Sequence, residues 1–185
     1  MRIFLAVIPP AEVQRAAHGV IETLRRPDDG VSWVKVENLH YTMRFLGEIG
    51  EDGLRRVTEA AVEAAAVIPR FDAELGGPGA FPSARRARVI WLGMRSGAAP
   101  LTDLAGALER ALAKRGFEPE GRKFAAHLTL GRVRDPREDW SARLEAAALP
   151  PAAPRRFAVD RLSVVQSQLN PKGAIYTVRA EGPLA

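Results

Sequence analysis

The sequence contains no cysteine. That excludes disulfides, a thiol nucleophile and any Cys-ligated zinc or iron–sulfur centre. Long apolar runs are also missing, so no stretch suits a membrane-spanning helix. The opening stretch Arg2–Ile8 meets Pro9-Pro10 too soon to serve as a signal peptide and reads as a first strand. These absences fit a cytoplasmic location with no membrane partner. Gly76-Gly77-Pro78-Gly79 is followed by no Lys-Ser/Thr pair, which removes a phosphate-binding loop. His-Glu-x-x-His and Gly-x-Ser-x-Gly do not occur. The histidines are only three, at positions 18, 40 and 127, too scattered to argue for a metal site. No metal and no cofactor are expected.

What is present is a chain of 185 residues, 46% hydrophobic, large enough for one domain with a real core. The net charge is +5, and arginine supplies most of the positive side. Arginine's planar fork suits phosphate groups. A solvated, Arg-rich surface explains the same charge equally well.

The pattern along the chain mixes helices and short strands. After the first strand, Val13, Ala17, Val20, Ile21 and Leu24 recur at helical spacing, and residues 26–30 form a turn. Short strands are expected at Ser32–Val36 and His40–Leu46, with an acidic loop from Gly47 to Gly53. A helix follows from about Asp52 to Ile68, then a strand at Phe71–Leu75. The glycine-rich segment 76–79 punctuates the middle of the chain. A strand at Arg88–Met94 precedes a helix whose apolar face carries Leu101, Leu104, Ala105, Leu108, Ala111 and Leu112. Phe124–Val133 reads as a strand. Asp135-Pro136 reads as a helix start, with Trp140 and Leu144 on one face of that helix. Two last strands, Phe157–Gln166 and Ala174–Arg179, flank the turn Asn170-Pro171-Lys172-Gly173 and should form a hairpin. The halves echo each other, which suggests a single 1–185 domain of two α+β lobes with largely antiparallel sheets.

Two of the three histidines head a His-x-Thr tripeptide: His40-Tyr41-Thr42 and His127-Leu128-Thr129. They occupy matching places in the two halves. In a strand, residues i and i+2 face the same side, so each histidine projects with its threonine. If the two strands meet at a cleft, two imidazoles and two hydroxyls converge. One neutral histidine would remove a proton from the attacking oxygen, and a protonated one would donate to the leaving oxygen. Threonine hydroxyls would bind the non-bridging phosphate oxygens. Arg44 is in phase with His40 and Thr42 and is the stronger arginine candidate. Arg132 is out of phase with His127 unless Gly131 permits a bulge. His18 sits on a helix among alanines and reads as surface or packing. Phe4, Trp33, Phe45 and Tyr176 are stacking candidates that core packing explains as well. Phe45, out of phase with His40, is expected on the buried side. Lys35, Arg85, Arg86 and Arg88 are candidates for a groove border or a charged edge.

The sequence resembles the two-histidine phosphoesterases, and most closely the bacterial and archaeal RNA 2′,3′-cyclic phosphodiesterases, historically called 2′-5′ RNA ligases. The resemblance rests on Arg2-Ile3-Phe4-Leu5-Ala6, on Asn38-Leu39-His40-Tyr41-Thr42-Met43-Arg44-Phe45-Leu46-Gly47-Glu48, and on Arg88-Val89-Ile90-Trp91-Leu92-Gly93. It extends to Phe124-Ala125-Ala126-His127-Leu128-Thr129-Leu130-Gly131-Arg132 and to the closing Gln166-Ser167-Gln168-Leu169 and Gly173-Ala174-Ile175-Tyr176. Met43 stands where Leu is usual, and Ala126 where Pro often precedes the second histidine. The resemblance implies a bilobal duplicated fold, with two mainly antiparallel sheets forming a V-shaped groove and helices packed outside. It implies hydrolysis of a 2′,3′-cyclic phosphate end on RNA or a nucleotide to a 2′-phosphate by a monomer. It makes His40 the proton donor and His127 the acceptor, with Thr42, Thr129, Arg44 and Arg132 as substrate-binding candidates. The reverse reaction, joining a cyclic phosphate end to a 5′-hydroxyl as a 2′-5′ RNA ligase, would use the same site. A nucleotide- or RNA-binding module without turnover is the reading from a different class.

Overall fold

The computed structural model describes residues 1–135, 138–171 and 173–185. In chain order the elements are β1 (Arg2–Val7), α1 (Ala11–Leu24), β2 (Val31–Trp33), β3 (Tyr41–Glu48), α2 (Glu51–Ala65), β4 (Phe71–Phe81), β5 (Val89–Ser96) and α3 (Ala98–Ala113). They continue with β6 (Leu128–Val133), α4 (Ser141–Ala146), β7 (Arg156–Val159), β8 (Arg161–Gln168) and β9 (Ile175–Pro183). Short 3-10 turns lie at Val36–Asn38 and Ala84–Arg86.

The strands form one ladder in the order β7-β4-β5-β6-β3-β1-β8-β9, with β2 also paired to β6. Every pairing among the described residues is antiparallel. The ladder narrows at its centre. β3 and β6 share a single pair, Tyr41 with Leu128. On one side of this waist lie β3, β1, β8 and β9; on the other lie β6, β5, β4 and β7. The sheet therefore has two halves, one of four strands and one of five counting β2, and the first is built from both ends of the chain.

Helices cover one face. The expected apolar positions of α1 (Val13, Ala17, Val20, Ile21 and Leu24) are all buried, as are the six expected on α3. Pro10 supplies the extended residue before α1. Glu51 and Asp52 in the first turn of α2 suit the positive end of the helix dipole. β1 is central and buried on both faces. Ile3, Leu5 and Val7 join the main core beneath the helices. Phe4 and Ala6 join a small second cluster with Val165, against which Tyr176 packs.

Three expectations are corrected. The segment 76–79 does not divide the chain; it lies inside β4, which runs through to Phe81. Two of its three glycines, Gly76 and Gly79, are there for space. A Cβ at Gly76 would lie 2.9 Å from the Met94 carbonyl carbon, and one at Gly79 would lie 2.3 Å from the Trp91 ring. The expected strand Phe157–Gln166 is two strands: β7 pairs with β4, and after Asp160 the chain crosses to the other half as β8. His40 and His127 each sit immediately before a strand, not within one. The closing hairpin is β8–β9. The turn residue Lys172 and Pro136, expected at a helix start, lie outside the described residues; α4 begins only at Ser141 with Trp140 as its N-cap, and Trp140 and Leu144 are both buried.

Gly182 shows how tightly the helical layer sits on the sheet. α2 packs on β9, and a Cβ at Gly182 would lie 2.7 Å from the Ala61 carbonyl oxygen. That neighbour is helix backbone and cannot move aside. Gly182→Ala is expected to cost about 1–3 kcal/mol of stability by urea denaturation. Gly19→Ala is the control, since Gly19 lies exposed in α1 with nothing within 4 Å. It is expected to gain about 0.5–1 kcal/mol. Equal midpoints for the two variants would contradict this packing.

Candidate active site

The waist of the sheet sets the site. Tyr41 and Leu128 each follow a histidine, and both point into the core. His40 and His127 therefore turn to the opposite, open face. Antiparallel register continues the logic: with 41 opposite 128, His40 is level with Thr129, and Thr42 with His127. The two tripeptides lie side by side, head to tail, at the centre of the sheet. They are neighbours in one ladder and not opposing walls.

The imidazoles are held alike. His40 Nδ1 lies 2.7 Å from the Asn38 carbonyl oxygen, and His127 Nδ1 lies 2.7 Å from the Ala125 carbonyl oxygen. In each case the acceptor is two residues earlier. A carbonyl only accepts, so Nδ1 carries hydrogen and donates. Nε2 is left as the reactive nitrogen on both rings. Asn38 is itself fixed, with its side-chain amide donating to the Ala174 carbonyl at 2.8 Å. His40 Nε2 lies 2.9 Å from Thr42 Oγ1; with neutral His40 the hydroxyl donates.

His40 is held below its ordinary pKa of 6.5. Burial is the main cause. The Asn38 hydrogen bond opposes it, and the nearby positive charges of His127 and Arg132 add to it. These couplings put His40, His127 and Arg132 in one electrostatic neighbourhood. Arg132 also acts on the Tyr176 hydroxyl, whose pKa burial raises.

Two β-bulges decide which arginine faces this neighbourhood. In β3, Thr42 pairs with Ala6 and Arg44 with Leu5, so Met43 is unpaired. In β6, Thr129 pairs with Trp91 and Gly131 with Ile90, so Leu130 is unpaired. Both bulges fall on the third residue after the histidine. Each extra residue shifts the strand's phase by one. Beyond the bulge, the fifth residue after the histidine returns to the open face. That residue is Arg132 in β6 and Phe45 in β3.

The expectation for Arg44 is corrected accordingly. Its side chain is only 9% exposed and turns to the helical side, 3.2 Å from Glu109 and 2.9 Å from Glu120. It also donates to the Glu118 carbonyl. Arg132 is exposed on the open face, as a bulge at Gly131 would require. Phe45 is 47% exposed, not buried, with the Arg2 guanidinium 5.1 Å above its ring. Thr42 is exposed and Thr129 half-buried on the histidine face. Trp33 is half-buried beside Trp140 and donates to Asp29. His18 pairs with Glu22 on α1, away from the other histidines in sequence and element.

Aromatic rings flank both histidines. Phe4 lies 4.8 Å and Tyr176 5.5 Å from the His40 ring, and these two rings touch each other at 4.9 Å. Phe81 lies 5.1 Å from the His127 ring and 4.9 Å from Trp91. Sequence reasoning missed Phe81. The available signal was a glycine at 79 on the strand facing Trp91. Among the described residues no group of three or more His, Cys, Asp or Glu is placed to hold a metal ion, and no helix is long and apolar enough to cross a membrane.

Comparison with known proteins agrees with this architecture. The family model of the 2′-5′ RNA ligase superfamily matches residues 9–171. An RNA 2′,3′-cyclic phosphodiesterase of Methanothermobacter thermautotrophicus is 34% identical over 96% of this chain and 95% of its own length. One from Thermotoga maritima is 35% identical over 98% of this chain and 94% of its own length. The crystal structure of E. coli LigT complexed with 3′-AMP superposes with a TM-score of 0.78 at 29% identity, covering all of this chain and 98% of that one. With two matched histidines at the waist of an antiparallel sheet and a family match over most of its length, this chain belongs to the 2′-5′ RNA ligase superfamily.

Proposed function

We propose that this chain hydrolyses a 2′,3′-cyclic phosphate at the end of an RNA, leaving a 2′-phosphate. The observation that carries the reading is the pair of imidazoles, each tied at Nδ1 to a carbonyl two residues back. Their Nε2 atoms are thereby turned to one face beside Arg132, that of His40 meeting Thr42 Oγ1. The relatives named RNA 2′,3′-cyclic phosphodiesterase support the choice of bond.

His127 Nε2 takes a proton from water, whose oxygen attacks phosphorus. The bond from phosphorus to the 3′ oxygen breaks, and His40 Nε2 gives that oxygen its proton. Arg132 and the hydroxyls of Thr42 and Thr129 hold the non-bridging oxygens as charge builds on them. The scheme needs no metal, and the two lobes each contribute a histidine and a threonine. The protein acts as a cytoplasmic monomer.

The depressed pKa of His40 fits a donor role once substrate is considered. In the empty groove, burial and two positive neighbours favour the neutral ring. A phosphate anion set among His40, His127 and Arg132 reverses the electrostatic part of that balance. His40 then takes up its proton together with the substrate.

The direct test is product identification after incubating the protein with an RNA bearing a 2′,3′-cyclic phosphate. A 2′-phosphate is expected, and His40→Ala and His127→Ala should each lower the rate about a hundredfold or more. Wild-type rates from either variant would overturn the mechanism. Binding without product in the wild type would favour a module that holds RNA without turnover.

Arg132 and Arg44 separate by a second measurement. Arg132→Ala is expected to lower kcat/KM about a hundredfold with the melting temperature near wild type. Arg44→Ala leaves Glu109 and Glu120 without their partner, so it should lower the melting temperature and spare kcat/KM. The opposite pattern would place Arg44 in the groove after all.

A further inference from the structure

The polar part of the open face does not end at Arg132. Val133 pairs with Val31 and turns into the core, so Arg134 returns to the side of Arg132. The Arg134 amide donates to the Gly30 carbonyl, which carries the β2–β6 pairing one residue beyond the strand ends. Ser32 is the cross-strand partner of Arg132, and the Arg134 guanidinium donates to its hydroxyl at 3.3 Å. Ser32, Arg132 and Arg134 are all exposed. They form a short track that leads along β6 away from the histidines.

The loop before β2 closes the far end of this track. Arg134 lines a cleft together with Arg25, Arg26, Asp28 and Asp29. The buried acid of that loop is already engaged. The Asp29 side chain is 7% exposed and accepts from the Arg26 and Val31 amides, the Trp33 indole and the Arg143 guanidinium. Its charge is matched by Arg143 and serves the fold. Arg25 is paired with Glu22 at 3.3 Å. Arg26 and Arg134 then stand against the exposed Asp28, and the balance is positive. The other half of the sheet offers no such surplus. There Arg2 lies over the Phe45 ring, Arg179 donates to Gln166, and Arg161 pairs with Asp160 and Glu181.

We propose that Arg134 and Ser32, with Arg26 beyond them, form a subsite for the 5′ phosphate of the terminal nucleotide, the group that joins it to the rest of the RNA. This rests on the cyclic phosphate reading of the site and gives the RNA a direction. The chain leaves the waist along β6 toward the loop before β2. Spacing supports the occupant. Arg134 is two strand residues from Arg132, about 7 Å. The 5′ phosphate of a nucleotide is separated from its own 2′,3′ phosphate by a comparable distance. Chemistry supports it as well: a guanidinium fork and a hydroxyl both donate to phosphate oxygens, and a basic groove tracks a single-stranded backbone without reading its bases.

The test isolates that one phosphate. It compares kcat/KM on adenosine 2′,3′-cyclic phosphate with that on the same compound bearing a methyl phosphate ester at its 5′ oxygen. The wild type should prefer the 5′-phosphorylated compound, and the preference should weaken as salt rises. Arg134→Ala should reduce the preference about tenfold, chiefly through KM. Arg134→Lys, which keeps the charge, should retain the salt dependence that Arg134→Ala loses. A wild type without preference would overturn the proposal. So would an equal loss on both compounds in Arg134→Ala, because Arg134 would then act only by shaping β6 around Arg132. Should the wild type hydrolyse neither compound, the hydrolase reading fails, and calorimetric binding then decides the subsite by itself. Adenosine 2′,5′-bisphosphate should bind more tightly than adenosine 2′-monophosphate, and Arg134→Ala should remove the difference. Equal affinities in the wild type would reject the subsite.

Discussion

A single pair of residues, Tyr41 with Leu128, joins the two halves of this molecule's sheet. The site depends on that pairing. It lies one residue after each histidine, and its two side chains are driven into the core by their own apolar character. Burial of Tyr41 and Leu128 thereby turns both imidazoles outward without any contact between the histidines themselves. Antiparallel register does the rest, setting each histidine level with the other tripeptide's threonine. Two short motifs far apart in sequence become one constellation because hydrophobic burial fixes the residue between histidine and threonine.

The bulges add the asymmetry that two copies of one motif lack. Both strands gain an extra residue at the same step, Met43 in β3 and Leu130 in β6, so both return to the open face at the same distance from the histidine. One half places an arginine there and the other a phenylalanine. At this position of the two strands the charge lies on the His127 side. Burial deepens on the His40 side, where Phe4 and Tyr176 crowd the ring. The same backbone device gives one histidine a charged neighbour on its own strand and the other a desolvated pocket. Such a difference is what separate acid and base roles require.

Much of this was legible in the sequence, for identifiable reasons. The His-x-Thr pairs, the apolar faces of α1 and α3 and the closing hairpin are local patterns, and local periodicity reports them. Arg44 was misplaced because strict alternation assumes an unbroken ladder, and nothing in Met43-Arg44 announces a bulge. Arg132 was recoverable only through the glycine before it. The strand β4 hid behind Gly76-Gly77-Pro78-Gly79, because glycine reads as a break when it is demanded by neighbours such as Met94 and Trp91. The split between β7 and β8 at Asp160 depends on which half of the sheet has a free edge, and that is not a property of the segment. Phe81 went unnoticed for the same reason: its place beside His127 exists only in the assembled sheet.

The central claim is that two imidazoles in opposite protonation states act on one phosphate. The pH dependence of kcat/KM tests it most directly, because that ratio reports the ionisation of the free enzyme. The account predicts a bell. The limb set by His40 should lie below the ordinary histidine value of 6.5, because burial and the charges of His127 and Arg132 hold it low. A flat profile from about pH 5 to 9 would contradict paired acid–base catalysis by these two histidines.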